Sequence, residues 1–267
     1  MTPTLDFLQQ ANDHIHKLLL ELQPVLLEAQ GKIGHQLKDD KSAVTAMDTM
    51  VEDRLRAALH DFAPAIPFSG EESGVDYSQP TYWLVDPIDG TEPFIRDLPF
   101  ATNMIALVDN NQPVLGIIYN FGLNDYYLAI KGQGATRNGH TIHVSNRTID
   151  RSFLSIGLSN LDVPEGRNIT DRIRSELGIN SSVKFAATGA EMASVAAGSI
   201  EGRVLYKGRA KPWDFAPGAL LIQEAGGRVA NIGSDAYDVR DANVVATNAV
   251  IFDEVMAFMN KIAAPAQ

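Results

Sequence analysis

Apolar residues along this chain recur at helical spacing up to about residue 60, at strand spacing from about 81 to 131, and in alternating fashion thereafter. A helix pair, then a run of strands, then a mixture predicts a layered α/β (α+β) architecture, because each apolar face must be buried against another layer. Leu8, Ala11, Ile15, Leu18, Leu19, Leu22 and Leu26 step by three and four. They predict a helix from Leu5 to about Gln30, kinked or divided at Pro24. A second helix is predicted from Ala46 to His60, with Val51, Leu55 and Leu59 on one face. Thr45-Ala46-Met47-Asp48 reads as its capping box, with Asp in place of the usual Glu. Gly31 to Lys41, between the two, is polar and reads as a mobile connection.

Strands are predicted at Thr81 to Val85, Thr102 to Val108, Pro113 to Tyr119 and Tyr126 to Lys131. Asp109-Asn110-Asn111-Gln112 is the hairpin loop inside that run, and Asn138-Gly139 marks a tight turn after it. Beyond residue 145 the reading alternates. Strands are expected at Phe153 to Gly157, Val183 to Phe185 and Arg203 to Tyr206. Helices are expected at Ile169 to Leu177, Glu191 to Gly198, Phe215 to Ala225 and Ile251 to Ala263. No repeat or low-complexity linker interrupts the 267 residues, so 1–267 reads as one unit with soft subdomains at 1–145 and 146–267.

The formal net charge is -11, and no Lys/Arg run exceeds two residues. Binding to nucleic acid or to an anionic membrane is therefore disfavoured. The absence of cysteine excludes disulfides, thiolate metal sites and cysteine nucleophiles. No signal peptide is visible, and no apolar run approaches the ~20 residues needed to cross a bilayer. A soluble cytoplasmic protein is expected. The six histidines show no ligand spacing and read as structural.

The segment Trp83-Leu84-Val85-Asp86-Pro87-Ile88-Asp89-Gly90-Thr91 carries the most chemistry. An apolar strand ends, two aspartates follow three residues apart, and Pro87 stiffens the turn between them. Two carboxylates on one tight loop suit hard cations, which prefer oxygen ligands. If a short helix begins at Thr91, the N–H groups of Gly90 and Thr91 form a phosphate site at its N-terminus. Glu71 and Glu72 lie in a glycine-flanked loop, and Asp214 follows Trp213 at a helix start. Taken alone, each of these segments reads as an ordinary turn, a solvated loop or a helix cap.

Together they resemble the inositol monophosphatase family of lithium-sensitive, magnesium-dependent phosphatases. The matching motifs are Gly70-Glu71-Glu72-Ser73, Trp83 to Thr91, and Trp213-Asp214 with Glu224-Ala225-Gly226-Gly227. Lys131-Gly132-Gln133-Gly134-Ala135 and Asn138-Gly139 also fit. The resemblance runs from about Lys38 to the C-terminus.

The resemblance implies an αβαβα sandwich with its site between two halves. Residues 1–145 would then carry the metal-binding loops and 146–267 the substrate-reading half. It further implies two or three Mg2+ ions. Glu71, Asp86 and the Ile88 carbonyl would hold the first, and Asp86, Asp89 and Asp214 the second. Thr91 and Asp48 would orient or deprotonate the attacking water, with Glu72 a further catalytic candidate. Gly90, Thr91, Gly189, Ala190 and Lys207 are the phosphate- and substrate-binding candidates. The expected substrate is an inositol-1-phosphate-like or related polyol phosphate, and a homodimer is expected. Phosphoryl transfer by a metal-activated water suits such a carboxylate set.

Two positions depart from the family pattern. Glu92-Pro93-Phe94 replaces the common Thr-Asn-Phe, and Lys207 stands where inositol-specific members carry a substrate-reading glutamate. With Arg209 and Lys211, Lys207 reads either as a solvated basic face or as a contact for a second anionic group. The latter favours a sugar bisphosphate or a 3′(2′),5′-bisphosphate nucleotide. A haloacid-dehalogenase-type aspartyl nucleophile fits poorly, because its two aspartates are separated by one residue, whereas Asp86 and Asp89 are separated by two. A non-catalytic binding module on the same fold is the remaining alternative.

Overall fold

The computed structural model of the protein describes residues 3–38, 43–75, 78–158, 164–208 and 210–264, the side chains of 158 and 164–168 excepted. Arg209, the Asp39 to Lys41 part of the polar connection, and Ser42 lie outside the described residues.

The first helix, α1 (Leu5–Ala29), runs undivided through Pro24. Pro24 falls on the exposed face, where the Leu20 carbonyl that it leaves without a donor meets water. A two-stranded ribbon, β1 (His35–Leu37) with β2 (Ala43–Thr45), leads into α2 (Ala46–Phe62). The capping box at its start is present: Thr45 N–H donates to Asp48 Oδ2 at 2.7 Å, and Met47 N–H donates to Thr45 Oγ1 at 3.1 Å.

The large sheet has seven strands in sequential order. They are β3 (Phe68–Gly70), β4 (Thr81–Asp89), β5 (Thr102–Asp109), β6 (Gln112–Asn120), β7 (Asp125–Ile130), β8 (Ala135–Arg137) and β9 (His140–Thr141). All nine residues of β4 are buried. Its unbroken apolar start follows from cover on both faces: Trp83 and Val85 point toward α1 and α2, while Tyr82 and Leu84 point the other way. Burying a side chain such as Leu84 or Val85 contributes about 1.5–3 kcal/mol.

After the short α3 (Thr91–Ile95), the second half of the chain builds a five-stranded sheet. Its order is β11 (Ser181–Val183), β10 (Phe153–Leu158), β12 (Gly202–Tyr206), β14 (Val244–Thr247), β13 (Arg228–Asn231). Helices α5 (Thr188–Ala196) and α6 (Pro212–Glu224) lie between the two sheets. There Met192, Phe215 and Ala219 join one core with Leu84, Met104 and Ile118 of the large sheet and with Leu205, Val244 and Ala246 of the small one. Helices α4 (Pro164–Leu177) and α7 (Phe252–Ala263) close the outer face over Leu154, Val204 and Val245. The result is the five-layer αβαβα sandwich, with a middle core drawn from both sides of residue 145.

The strand expected at Val183 to Phe185 is displaced to Ser181–Val183. Phe185 instead stacks on Phe100, with ring centroids 5.0 Å apart, and so joins the two halves.

Candidate active site

Three elements bring the acidic residues together. β3 pairs in parallel with β4, so Glu71, just past β3, reaches the end of β4, and its N–H donates to the Val85 carbonyl at 3.1 Å. The pairing of β4 with β5 is regular to Asp86 and resumes at Asp89. Pro87 and Ile88 form the irregularity, which Asn103 Nδ2 holds by donating to the Pro87 carbonyl at 2.6 Å. Asp214 enters from the start of α6, where its carboxylate accepts the Lys211 N–H at 2.8 Å.

Glu71, Asp86, Ile88, Asp89, Gly90, Thr91 and Asp214 line one cavity of about 390 Å³ between the two halves. Gly90 has φ +84°, and a β-carbon there would lie 2.7 Å from that of Ala187, so glycine is required both by backbone and by space.

Asp89 fastens the halves to each other. One of its oxygens accepts the Thr188 N–H at 3.0 Å, and the other accepts the Gly189 N–H at 2.7 Å and the Thr102 hydroxyl at 3.1 Å. Burial nevertheless pushes its carboxyl up to about 7, against the pull of these donors. Burial, and then the charges of Glu71, Asp89 and Asp214, hold Asp86 well above the ordinary carboxylate range. Asp214 is raised by burial and by Asp89. Asp48 is also raised by burial, although Thr45 donates to it from both its hydroxyl and its N–H. The Thr91 hydroxyl lies 3.3 Å from Asp48 Oδ1 and 3.3 Å from the Ile88 carbonyl.

These carboxylates fit a hard cation. Asp86 Oδ1 is buried with no hydrogen-bond partner among the described residues, and a buried oxygen in that state is costly. Glu71, Asp89, Asp214 and the Ile88 carbonyl bring further oxygens to the same cavity, and a cation relieves the repulsion among the carboxylates. The Lys38 ammonium already answers part of this charge, 2.7 Å from Glu71 and 2.6 Å from Glu72. Partial burial opposes that charge, but the hydrogen bonds to Glu71 and Glu72 outweigh it and raise the lysine's pKa. In this arrangement no three His, Asp or Glu side chains among the described residues form a ready-made metal cage. Glu71 is drawn toward Lys38, and Asp89 is clasped by α5.

The substrate-side candidates are placed differently. The Gly189 N–H is spent on Asp89, and the Ala190 carbonyl accepts from Ser194 within α5. Glu72 pairs with Lys38 and does not line the cavity. Nor does Lys207, whose N–H donates to Asn243 and whose ammonium lies 5.3 Å from the Tyr206 ring. Glu92 reaches the cavity rim but pairs with Arg96 at 2.9 Å.

The second half contributes Lys184, Thr188, Glu191 and Arg203 to the walls. Glu191 and Arg203 form a buried ion pair 3.0 Å apart. The signal for it was a single charge inside each of two small or apolar runs, Ala190-Glu191-Met192-Ala193 and Gly202-Arg203-Val204-Leu205. The Glu224 motif serves the scaffold instead. Its carboxylate accepts the Gly132 and Gly134 N–H groups, both at 2.8 Å, tying the end of α6 to the turn after β7.

The sequence profile of the inositol monophosphatase family matches residues 7–263. An inositol-1-monophosphatase of Mesorhizobium japonicum is 33% identical over 221 residues, covering 80% of this chain and 82% of that protein. A fructose-1,6-bisphosphatase/inositol-1-monophosphatase of Aquifex aeolicus is 29% identical over 245 residues, covering 89% of this chain and 90% of that protein. The solved structure of a Thermotoga maritima IMPase superposes with a TM-score of 0.84 at 27% identity, covering 95% of this chain and 98% of that one. Fold and matches together define a hydrolase of the phosphatase class. The chain belongs to the inositol monophosphatase family. No helix among the described residues is long and apolar enough to cross a membrane.

Proposed function

We propose that this protein hydrolyses a small phosphate monoester in a Mg2+-dependent reaction, with water as the nucleophile and an inositol-1-phosphate-like or related polyol phosphate as substrate. The observation that carries this reading is the gathering of Glu71, Asp86, Asp89 and Asp214 around one cavity, with Asp86 Oδ1 left without a hydrogen-bond partner among the described residues. Glu71, Asp86, Asp89, Asp214 and the Ile88 carbonyl would hold two or three ions. Bound there, the ions supply charge neutralisation for phosphoryl oxygens and lower the pKa of water.

The chain's own groups do the rest. Asp48 and Thr91 form the relay for the water proton, since the Thr91 hydroxyl is within 3.3 Å of Asp48 Oδ1. The raised pKa of Asp48 brings its carboxylate closer to the role of a base. Gly90 and Thr91 border the cavity, and their backbone N–H groups hold the phosphate. Asp89 and α5 fix the distance between the halves, and so the room left for the substrate.

The purified chain stripped with EDTA is expected to release no phosphate from inositol-1-phosphate, to regain activity with Mg2+, and to lose it in the Asp214→Asn variant. Lithium is expected to inhibit. Activity that survives EDTA and Asp214→Asn alike refutes the reading. Metal binding without turnover on any phosphate ester leaves a binding module.

A second substrate reading, a sugar or nucleotide bisphosphate, is favoured by Lys184 on the cavity wall. A panel of mono- and bisphosphates assayed with wild type and Lys184→Ala separates the two. Selective loss on bisphosphates favours the second.

A further inference from the structure

We propose that Glu52 is a positioning residue for Glu71, and that through Glu71 it sets the affinity of the cavity for a divalent ion. The inference rests on the metal reading given above. Glu52 lies on α2, four residues after Asp48 and on the same face, and its side chain is 1% exposed. A carboxylate buried so deeply is costly unless it is hydrogen-bonded. Arg56, one turn further along α2, pairs with Oε1. The other oxygen crosses to the loop after β3, where Oε2 accepts the Glu72 N–H at 2.8 Å.

The backbone of that loop is shaped to admit it. A β-carbon at Gly70 would lie 2.4 Å from Glu52 Oε2 and 2.6 Å from its Cδ. The glycine before Glu71 is therefore the space into which Glu52 reaches. The two peptide groups on either side of the Glu71 α-carbon are pinned in different directions. Glu71 N–H donates to Val85 of β4, and Glu72 N–H donates to Glu52 of α2. With both peptides held, the root of the Glu71 side chain is fixed while its carboxylate lies at the cavity. Glu52 itself does not line the cavity, so it acts on the ion only through Glu71. Groups that orient a metal ligand in this way commonly govern metal affinity.

The test uses Mn2+ as the probe, titrated calorimetrically into the EDTA-stripped full chain. Wild type, Glu52→Gln, Glu52→Leu and Leu59→Ala are compared. Leu59 is buried in the core on the same helix and serves as a control for general loosening. Glu52→Gln keeps the volume but has only one acceptor for two donors, and is expected to raise the Mn2+ Kd by about 3–10-fold. Glu52→Leu is expected to raise it by about 10–100-fold, with most of kcat regained at saturating metal. Exchange of the Glu72 amide hydrogen is expected to quicken in both.

A Mn2+ Kd within about twofold of wild type in a folded Glu52→Gln variant overturns the inference. So does an equal loss of affinity in Leu59→Ala. Wild type that binds no Mn2+ overturns the metal reading and this inference with it.

Discussion

Replacing Asp89 with asparagine gives the sharpest test of how the site is balanced. In the metal-free protein burial raises the Asp89 carboxyl from an ordinary 3.8 to about 7. A carboxyl with that shift holds its proton more tightly folded than unfolded. Its contribution to stability is therefore complete below pH 3.8 and is lost as the pH rises to about 7. At about 1.4 kcal/mol for each pH unit, the gap amounts to about 4 kcal/mol. Asparagine does not titrate, so the difference between wild type and Asp89→Asn isolates this change. The amide's imperfect fit to the Thr188 and Gly189 N–H groups is the same at every pH and drops out. Loss of the Asp89 charge also relieves Asp86 and Asp214, which strengthens the trend in the same direction.

Thermal melts of EDTA-stripped protein from pH 4 to pH 8 read the outcome. Wild type is expected to fall relative to the variant by roughly 8–16 °C across that range. Excess Mg2+ is expected to reverse the order at pH 8, because the ion replaces the proton that wild type has lost. A difference that does not change with pH, or one that moves in favour of wild type as pH rises without metal, refutes the reasoning.

Removing one partner of the buried Glu191–Arg203 pair leaves an uncompensated charge. Arg203→Met is expected to cost about 3–5 kcal/mol in urea unfolding, and Glu191→Leu on top of it to restore much of the loss. Glu224→Ala frees two N–H groups at the turn after β7, both within reach of water. It is expected to cost about 1–2 kcal/mol in the same assay, with phosphate release unchanged.

Sequence periodicity located α1, α2 and the strands from β4 to β7, because each carries an apolar stripe or run long enough to show its repeat. It missed β1, which falls in the stretch read as a mobile connection, and β2, β3, β13 and β14, all of three or four residues. A repeat of two needs more length than that to be visible. Pro24 does not divide α1, because its face of the helix is exposed and the carbonyl it leaves without a donor can meet water. The acidic side of the site was legible because Glu71, Asp86, Asp89 and Asp214 sit in short motifs with fixed neighbours. The other wall was not. Arg203 and Glu191 are 12 residues apart in the chain, and only the docking of α5 against β12 turns two isolated charges into a pair. Lys207 stands seven residues before Asp214, the spacing of a substrate-reading residue, yet its ammonium lies over the Tyr206 ring and it is not among the residues lining the cavity.

The clasp on Asp89 sets an order of events during synthesis. Its two backbone donors lie 99 and 100 residues further along the chain, and Asp214 follows later still. As the ribosome works, the large sheet can emerge complete while Asp89, at the acidic end of its second strand, has only the Thr102 hydroxyl of the neighbouring strand to meet it. The link at the centre waits for the second half of the chain, and long-range closure of this kind is slow. A translational stall after the large sheet has emerged but before Thr188 leaves Asp86 and Asp89 without the second half of the cavity, able to attract cations before there is a pocket to put them in.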